Sequence, residues 1–184
     1  MTKSQLKIYE DFLQSEEVKN ALMIKASPLV QCTVLKKICD HPRRMSNSAC
    51  KSVGLMVNNN RTLGEADAHE CAANAIADIS VERLISESGK LRAFSHLAKT
   101  ILSTGEKLLV FSQSIKILDM IEKVVEEQNV LLLRMDGKDK SSVREEKVAQ
   151  FQRDPNIKGG LNISFIINES VYILAYMLQT GSDK

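Results

Sequence analysis

Two short apolar runs, Lys107-Leu-Leu-Val-Phe111 and Val130-Leu-Leu-Leu-Arg134, alternate with amphipathic stretches between residues 91 and 151, and this alternation limits the fold more than any other feature. A short apolar run bounded by turn residues has the form of a strand covered on both faces, since a half-exposed strand would alternate polar and apolar residues. Leu91, Phe94, Leu97, Ala98, Ile101 and Leu102 form one face of a helix that stops at Gly105. Ile117, Leu118, Ile121, Val124 and Val125 do the same over residues 115–127, and Ser142-Val-Arg-Glu145 reads as a capping box opening a helix through Val148 and Phe151 to Asp154-Pro155. Helix, strand, helix, strand, helix with short connections predicts an α/β fold: a parallel sheet with flanking helices and right-handed crossovers. A third strand is needed after Lys158, and Leu161 to Leu178 supplies apolar residues for it. Such sheets collect ligand groups at the carboxyl ends of their strands.

The first half of the chain reads as helical. Thr2 and Gln5 fit a capping box at the head of a helix over residues 2–23, with Leu6, Tyr9, Phe12 and Leu13 at helical spacing. A second helix is predicted from a Ser27 cap and Pro28, through Val30, Val34, Leu35 and Ile38, to Asp40-His41-Pro42, where proline disfavours helix in the preceding residue. Lys36, Lys37, Arg43 and Arg44 form a basic cluster around that stop. From Met45 to about Asn74 the composition shifts to Ser, Asn and Ala, which reads as an insertion or linker, with a short helix at Ile76 to Ile85.

With 184 residues, the chain suits one domain, or one with an appendage, and is too short for a motor enzyme built from two nucleotide-binding lobes. Lys plus Arg (25) nearly balances Asp plus Glu (23), so a nucleic-acid partner has to be argued locally and not from bulk charge. Met1-Thr-Lys-Ser-Gln5 runs straight into a charged amphipathic pattern unlike a secretory leader, so Cys32, Cys39, Cys50 and Cys71 are expected as thiols in a reducing compartment. Zinc on Cys32, Cys39, His41 and Cys50 is the alternative to buried structural thiols; no Cys-x2-Cys pair supports it, and no metal site is assigned. Asn162, Ser164, Asn168, Glu169 and Ser170 interrupt the last apolar stretch and weaken a membrane span there. The glycosylation patterns Asn162-Ile-Ser164 and Asn168-Glu-Ser170 are read as chance matches.

Catalytic chemistry finds little support. Neither Ser88-Gly89-Lys90 nor Gly105-Glu106-Lys107 completes a phosphate-binding loop: Leu91 follows Lys90 where a magnesium-holding hydroxyl is needed, and the second has no Gly-Lys pair. Glu126-Glu127 and Glu145-Glu146 lie on predicted helices where adjacent residues diverge, so they read as solvated faces. No Gly-x-Ser-x-Gly turn supports a nucleophilic triad. No catalytic or cofactor-binding residue is assigned. Two strand ends remain. Phe111-Ser112-Gln113-Ser114 and Arg134-Met135-Asp136-Gly137 bring hydroxyl, amide, guanidinium and carboxylate groups to one sheet edge, suited to nucleic-acid phosphates. The competing reading makes Ser112 or Ser114 a helix cap and Asp136-Gly137 a turn.

The order Val34-Leu-Lys-Lys-Ile-Cys-Asp-His-Pro42, Glu87-Ser-Gly-Lys-Leu91, Lys107-Leu-Leu-Val-Phe-Ser-Gln113, Arg134-Met-Asp-Gly137 with Arg144, and Val148-Ala-Gln-Phe151 resembles the Swi/Snf-type ATP-dependent DNA translocases. Gln5-Leu-Lys-Ile-Tyr9, Ser27-Pro-Leu29 and Val34 to Pro42 look most like their excision-repair cross-complementing-like branch, and the resemblance covers about residues 3 to 158. It implies a helical inter-lobe region (residues 1–45), a variable insertion (46–86), the first half of the second RecA-like lobe, or helicase C-terminal domain (87–158), and a divergent tail (159–184). It also implies a nuclear protein working in chromatin remodelling or DNA repair on double-stranded DNA, with a first RecA-like lobe as partner and no membrane. By resemblance, Ser112 and Gln113 face the DNA backbone, Arg134, Asp136, Gly137 and Arg144 shape the same edge, and Lys90 enters the second lobe. The first lobe with its phosphate loop and Asp-Glu pair, the Gly-rich segment after Lys158 and the arginine-bearing segment do not appear. ATP and magnesium would belong to a complete parent protein and no cofactor to this chain, which is then expected to be a fragment that does not hydrolyse ATP alone. A non-catalytic DNA- or protein-binding module is the alternative, and a small flavodoxin-like enzyme a third.

Overall fold

The computed structural model describes residues 1–23, 29–45, 76–163 and 172–176. The chain divides into two compact units, Met1–Ala93 and Phe94–Lys184.

In the first unit, the Thr2–Gln5 capping box forms as expected: each side chain accepts the other residue's backbone N–H at 3.1 Å, at the head of α1 (Lys3–Leu13). The single helix expected over residues 2–23 is two. Ser15 interrupts it, its hydroxyl accepting the Val18 N–H at 3.4 Å and so capping α2 (Glu16–Met23). Helix α3 (Leu29–Asp40) stops where Pro42 requires; the Ser27-Pro28 start lies outside the described residues. A 3-10 turn (Pro42–Arg44) follows, and α4 (Val81–Glu87) is capped by the Ser80 hydroxyl. The helix expected at Ile76 to Ile85 is interrupted: Ile76 and Ala77 are helical, residues 78–80 leave the helix, and it starts again at Val81 behind the Ser80 cap. Ile8, Ile38 and Met45 form the core with Tyr9, Phe12 and Val34 packed against it. Gln5, fully buried, donates to the carbonyls of Ile38 (2.9 Å) and Cys39 (3.2 Å) at the end of α3, which otherwise lack partners. Cys32 is exposed and Cys39 half-buried, so the buried-thiol expectation fails for Cys32, which faces away from that core. Cys50 and Cys71 lie outside the described residues. Helix α5 (Gly89–Ser103) gives its first residues to this unit.

The second unit holds β1 (Lys107–Ser112), α6 (Ile115–Glu126), β2 (Leu131–Met135), α7 (Ser141–Arg153), β3 (Ile157–Ile163) and β4 (Tyr172–Tyr176). The sheet order is β2-β3-β1-β4, with β3 parallel to both β1 and β2 and β4 antiparallel to β1. The expected third strand is present and lies in the centre. It displaces β2 to an edge, so β2 is not covered on both faces: Leu131 is 62% exposed and residues 132–135 are half-buried.

Side-chain directions on β3 place the helices. A Cβ on Gly159 would stand 3.5 Å from Val125 of α6, and one on Gly160 would stand 3.2 Å from the Phe151 ring of α7. Successive strand residues point to opposite faces, so α6 and α7 cover opposite faces of the sheet. The α6 face is closed, with Leu108, Val110, Leu118, Ile121, Val124, Val125 and Leu161 all at most 1% exposed. The α7 face is not: α7 has no buried residue, and Leu109, Phe111, Leu133 and Met135 beneath it are half-buried. The capping box expected at Ser142 and Glu145 does not form. Lys140 occupies the N-cap without a side-chain bond, and Ser141, one residue earlier, reaches Glu145 at only 3.5 Å.

Candidate nucleic-acid interface

Strands β1 and β2 end level with one another on either side of β3, since Phe111 and Met135 both pair with Asn162. Ser112 and Asp136 are therefore the next residues along one edge, about 10 Å apart at two inter-strand spacings. Helices α6 and α7 both begin just beyond this edge, so their N-terminal amides add positive potential there.

The seven residues singled out in the sequence differ in availability. Ser112 is buried, and its hydroxyl accepts the Ser114 N–H at 3.2 Å, which fixes the turn into α6. Gln113 is exposed, and Ser114 holds the N-cap position without a side-chain bond. Arg134 points to the α6 face, where its guanidinium meets Asp119 and Glu122 at 2.6 Å each and Asp136 at 3.9 Å. Burial works against its charge, but hydrogen bonds and attraction from Asp119 and Glu122 more than offset this and hold it above its usual range. Asp136 closes a turn: its carboxylate accepts the Lys138 N–H at 2.9 Å, and its own N–H donates to Asp139 at 3.1 Å. Gly137 is exposed with open space around its Cα, and Arg144 donates to the Asp136 carbonyl at 3.2 Å.

Lys147 buttresses this turn and carried no signal in the sequence. Its ammonium donates to the Arg134 carbonyl (2.7 Å) and to both oxygens of Asp139 (3.0 and 2.9 Å), and that hydrogen bond holds the Asp139 carboxyl below the usual carboxylate range. Asp119 and Glu122 were also missed; their three-residue spacing on α6 puts both on one face, but nothing local names Arg134 as the partner. Lys138, Lys140 and Arg144 remain as exposed cations beside Gln113's edge of the sheet.

Lys90 belongs to the first unit, where its ammonium lies 2.5 Å from Asp40. Asp40 also pairs with Arg44, and its carbonyl accepts the Ser88 hydroxyl at 2.7 Å. Glu87 takes Arg43 in a two-pronged pair and Arg83 at 3.2 Å. His41 is fully buried. Its Nδ1 accepts the Arg43 N–H at 3.2 Å, so the proton sits on Nε2, 3.1 Å from the Leu84 carbonyl, and burial pushes its pKa down to about 4.

These contacts bear on nucleotide binding. In Ser88-Gly89-Lys90 the hydroxyl is committed to Asp40, the Gly89 N–H to Gln5 at 3.0 Å and the lysine to Asp40. In Gly105-Glu106-Lys107 the lysine is buried and donates to the Phe151 and Asp154 carbonyls. Neither segment can cradle a triphosphate, so these two segments do not fit ATP. No group of three or more potential metal ligands occurs among the described residues, and no described helix is long and apolar enough to cross a membrane.

No family model matches the chain. It is 40% identical over 148 residues to the DNA excision repair protein ERCC-6-like of Danio rerio, covering 80% of this chain and 10% of that protein. It is 36% identical over 162 residues to the SNF2 domain-containing protein ENL1 of Oryza sativa subsp. japonica, covering 84% of this chain and 16% of that protein. The chain thus spans about a tenth to a sixth of the length of these relatives. Among solved structures, the C-terminal part of the Fun30 ATPase domain matches with a TM-score of 0.57 at 21% identity, covering 88% of this chain and 65% of that one. The Sulfolobus solfataricus SWI2/SNF2 ATPase core in complex with dsDNA matches with a TM-score of 0.63 at 16% identity, covering 91% of this chain and 30% of that one. Sequence similarity across four fifths of the chain shows that it resembles one part of Swi/Snf-type proteins, and its fold matches that of the C-terminal lobe of their ATPase domain.

Proposed function

We propose that the carboxyl edge of the β2-β3-β1 sheet contacts the backbone of double-stranded DNA, and that the chain supplies this contact without hydrolysing ATP. The observation that carries the reading is the common register of β1 and β2 on β3, which sets Gln113, Gly137 and the cations Lys138, Lys140 and Arg144 along one edge beside two helix starts. Direct contact falls to Gln113, the Gly137 backbone and Arg144. Ser112, Arg134 and Asp136 act behind them by shaping the two turns, and Lys90 offers a separate contact from the first unit. One structural neighbour is an ATPase core bound to dsDNA, which supports the class of ligand. In this reading residues 1–45 are inter-lobe helices and 46–86 an insertion. The partners are chromatin DNA in the nucleus and a first RecA-like lobe, which would bring the ATP and magnesium chemistry.

Fluorescence anisotropy with a short duplex, repeated across salt concentrations, tests this. Each phosphate contact contributes roughly 0.9 to the log-log salt slope. Arg144→Ala is expected to weaken binding and lower that slope by about one contact. Arg134→Met is expected to weaken binding with little change in slope, because its charge is already taken by Asp119 and Glu122. Salt-insensitive binding, or no binding, sinks the proposal. Phosphate release on adding ATP and duplex DNA to the purified chain would sink its second half.

A further inference from the structure

The incompletely covered sheet face has a consequence independent of the DNA edge. Between α7 and the strands lies a groove of about 280 Å³, walled by Leu109, Phe111, Leu133, Met135, Val148 and Phe151. Close-packed interiors do not carry voids of this size. The volume sits just below the roughly 300 Å³ at which ligand pockets begin, so its occupant is one or two rings and not a peptide helix.

The groove also holds a buried charge. Lys107, at the start of β1 on the same face, is 1% exposed and lines the groove. Its ammonium donates to the carbonyls of Phe151 and Asp154 and stands 4.9 Å from the Phe151 ring centroid. Those carbonyls take two of its three donors. No carboxylate among the described residues lies within ion-pair distance of it, whereas Lys147, the other lysine in the wall, has Asp139. A desolvated cation without an anion is the costly arrangement. Burial, reinforced by Lys158 and opposed by Asp154, already pushes the Lys107 ammonium below the usual lysine range.

We propose that the groove between α7 and the sheet binds a small aromatic carboxylate, its ring among Leu109, Phe111, Leu133 and Met135 and its carboxylate on Lys107. Phe111 and Phe151 line the groove with aromatic rings and Met135 with a thioether, all of which favour an aromatic body over an aliphatic one. The binding is non-covalent, and the carboxylate matches the one charge in the wall that has no carboxylate partner among the described residues.

Calorimetric titration of the full chain with 1-naphthoate and with neutral 1-naphthalenemethanol tests this. The wild type is expected to bind the acid saturably at one site and roughly tenfold more tightly than the alcohol, as for a hydrogen bond to a charged group. Lys107→Met should erase that preference and Lys147→Met should keep it, each checked for folding by circular dichroism. Leu133→Trp, placed at a half-buried wall position so that the indole fills the groove, should abolish both titrations. Equal or unsaturable binding of acid and alcohol by the wild type overturns the proposal even if Lys107→Met does not fold. So does naphthoate binding that survives Leu133→Trp, or a concentration-dependent dimer that occludes the groove.

Discussion

Acidification should loosen the first unit through His41. The imidazole is fully buried, Nδ1 accepts from the Arg43 N–H and Nε2 donates to Leu84, so both nitrogens are satisfied only in the neutral ring. Protonation places a second N–H against the Arg43 donor, in a site where burial opposes the charge more than the Leu84 carbonyl and Glu87 favour it, and where the Arg43 guanidinium adds repulsion. The pKa falls from 6.5 to about 4 on folding. Because the folded value is the lower one, the stabilisation is complete above pH 6.5 and is lost as pH falls toward 4. Linkage over that interval gives about 3 kcal/mol in all, of which about 2 kcal/mol is lost between pH 7 and pH 5. Tyr9 is the only tyrosine of this unit, so urea unfolding followed by tyrosine fluorescence in a Tyr172→Phe, Tyr176→Phe background reports on it alone. His41→Gln, which cannot titrate, is expected to be less stable at pH 7 but to lose about 2 kcal/mol less than the histidine form on going to pH 5. Equal losses in the two proteins would refute the reasoning, since the carboxylates shared by both would then account for the whole acid response.

Three further outcomes are expected. Glu87→Gln leaves Arg43, 6% exposed, without its two-pronged partner and should cost about 3–5 kcal/mol of first-unit stability, measured by the same urea titration. Gly160→Val forces a Cβ to within 2.8 Å of Leu109 and 3.2 Å of Phe151, and should lower second-unit stability by about 1–3 kcal/mol, read as a drop in Tm. Lys147→Met removes the support of the Asp136–Asp139 turn, so hydrogen exchange at the Lys138 and Asp139 amides should accelerate while β1 amides stay protected; unchanged exchange would show that the turn holds itself.

The alternation of apolar strands and amphipathic helices was enough to place β1, α6, β2 and α7 within a residue or two, because each is defined by the period of its own side chains. The α1 cap and the stop of α3 at Pro42 were legible for the same local reason. Competition among neighbouring caps was harder to read: Ser15 splits the first helix, and Ser80 starts α4 afresh after a break that follows helical Ile76 and Ala77. At the candidate interface, the sequence put Ser112, Gln113, Asp136 and Gly137 at strand ends correctly, but not the fate of their charges. That Arg134 is consumed by Asp119 and Glu122, and that Lys147 holds the turn through Asp139 eight residues away, depends on which helix covers which face.

What the sequence alone determined is the α/β character of the second half, the helical character of the first, the set of polar residues at two strand ends and the family likeness, all of them properties of short windows read in order. Only the tertiary structure decided that β3 lies between β1 and β2, since strand order is a long-range pairing that no local period encodes. That single choice sends β2 to the edge, sets Gly159 beneath Val125 of α6 and Gly160 beneath Phe151 of α7, and aligns Phe111 with Met135 across Asn162. It also leaves the α7 face half-covered above Lys107, because burial is a property of what lies opposite a residue and not of the residue itself.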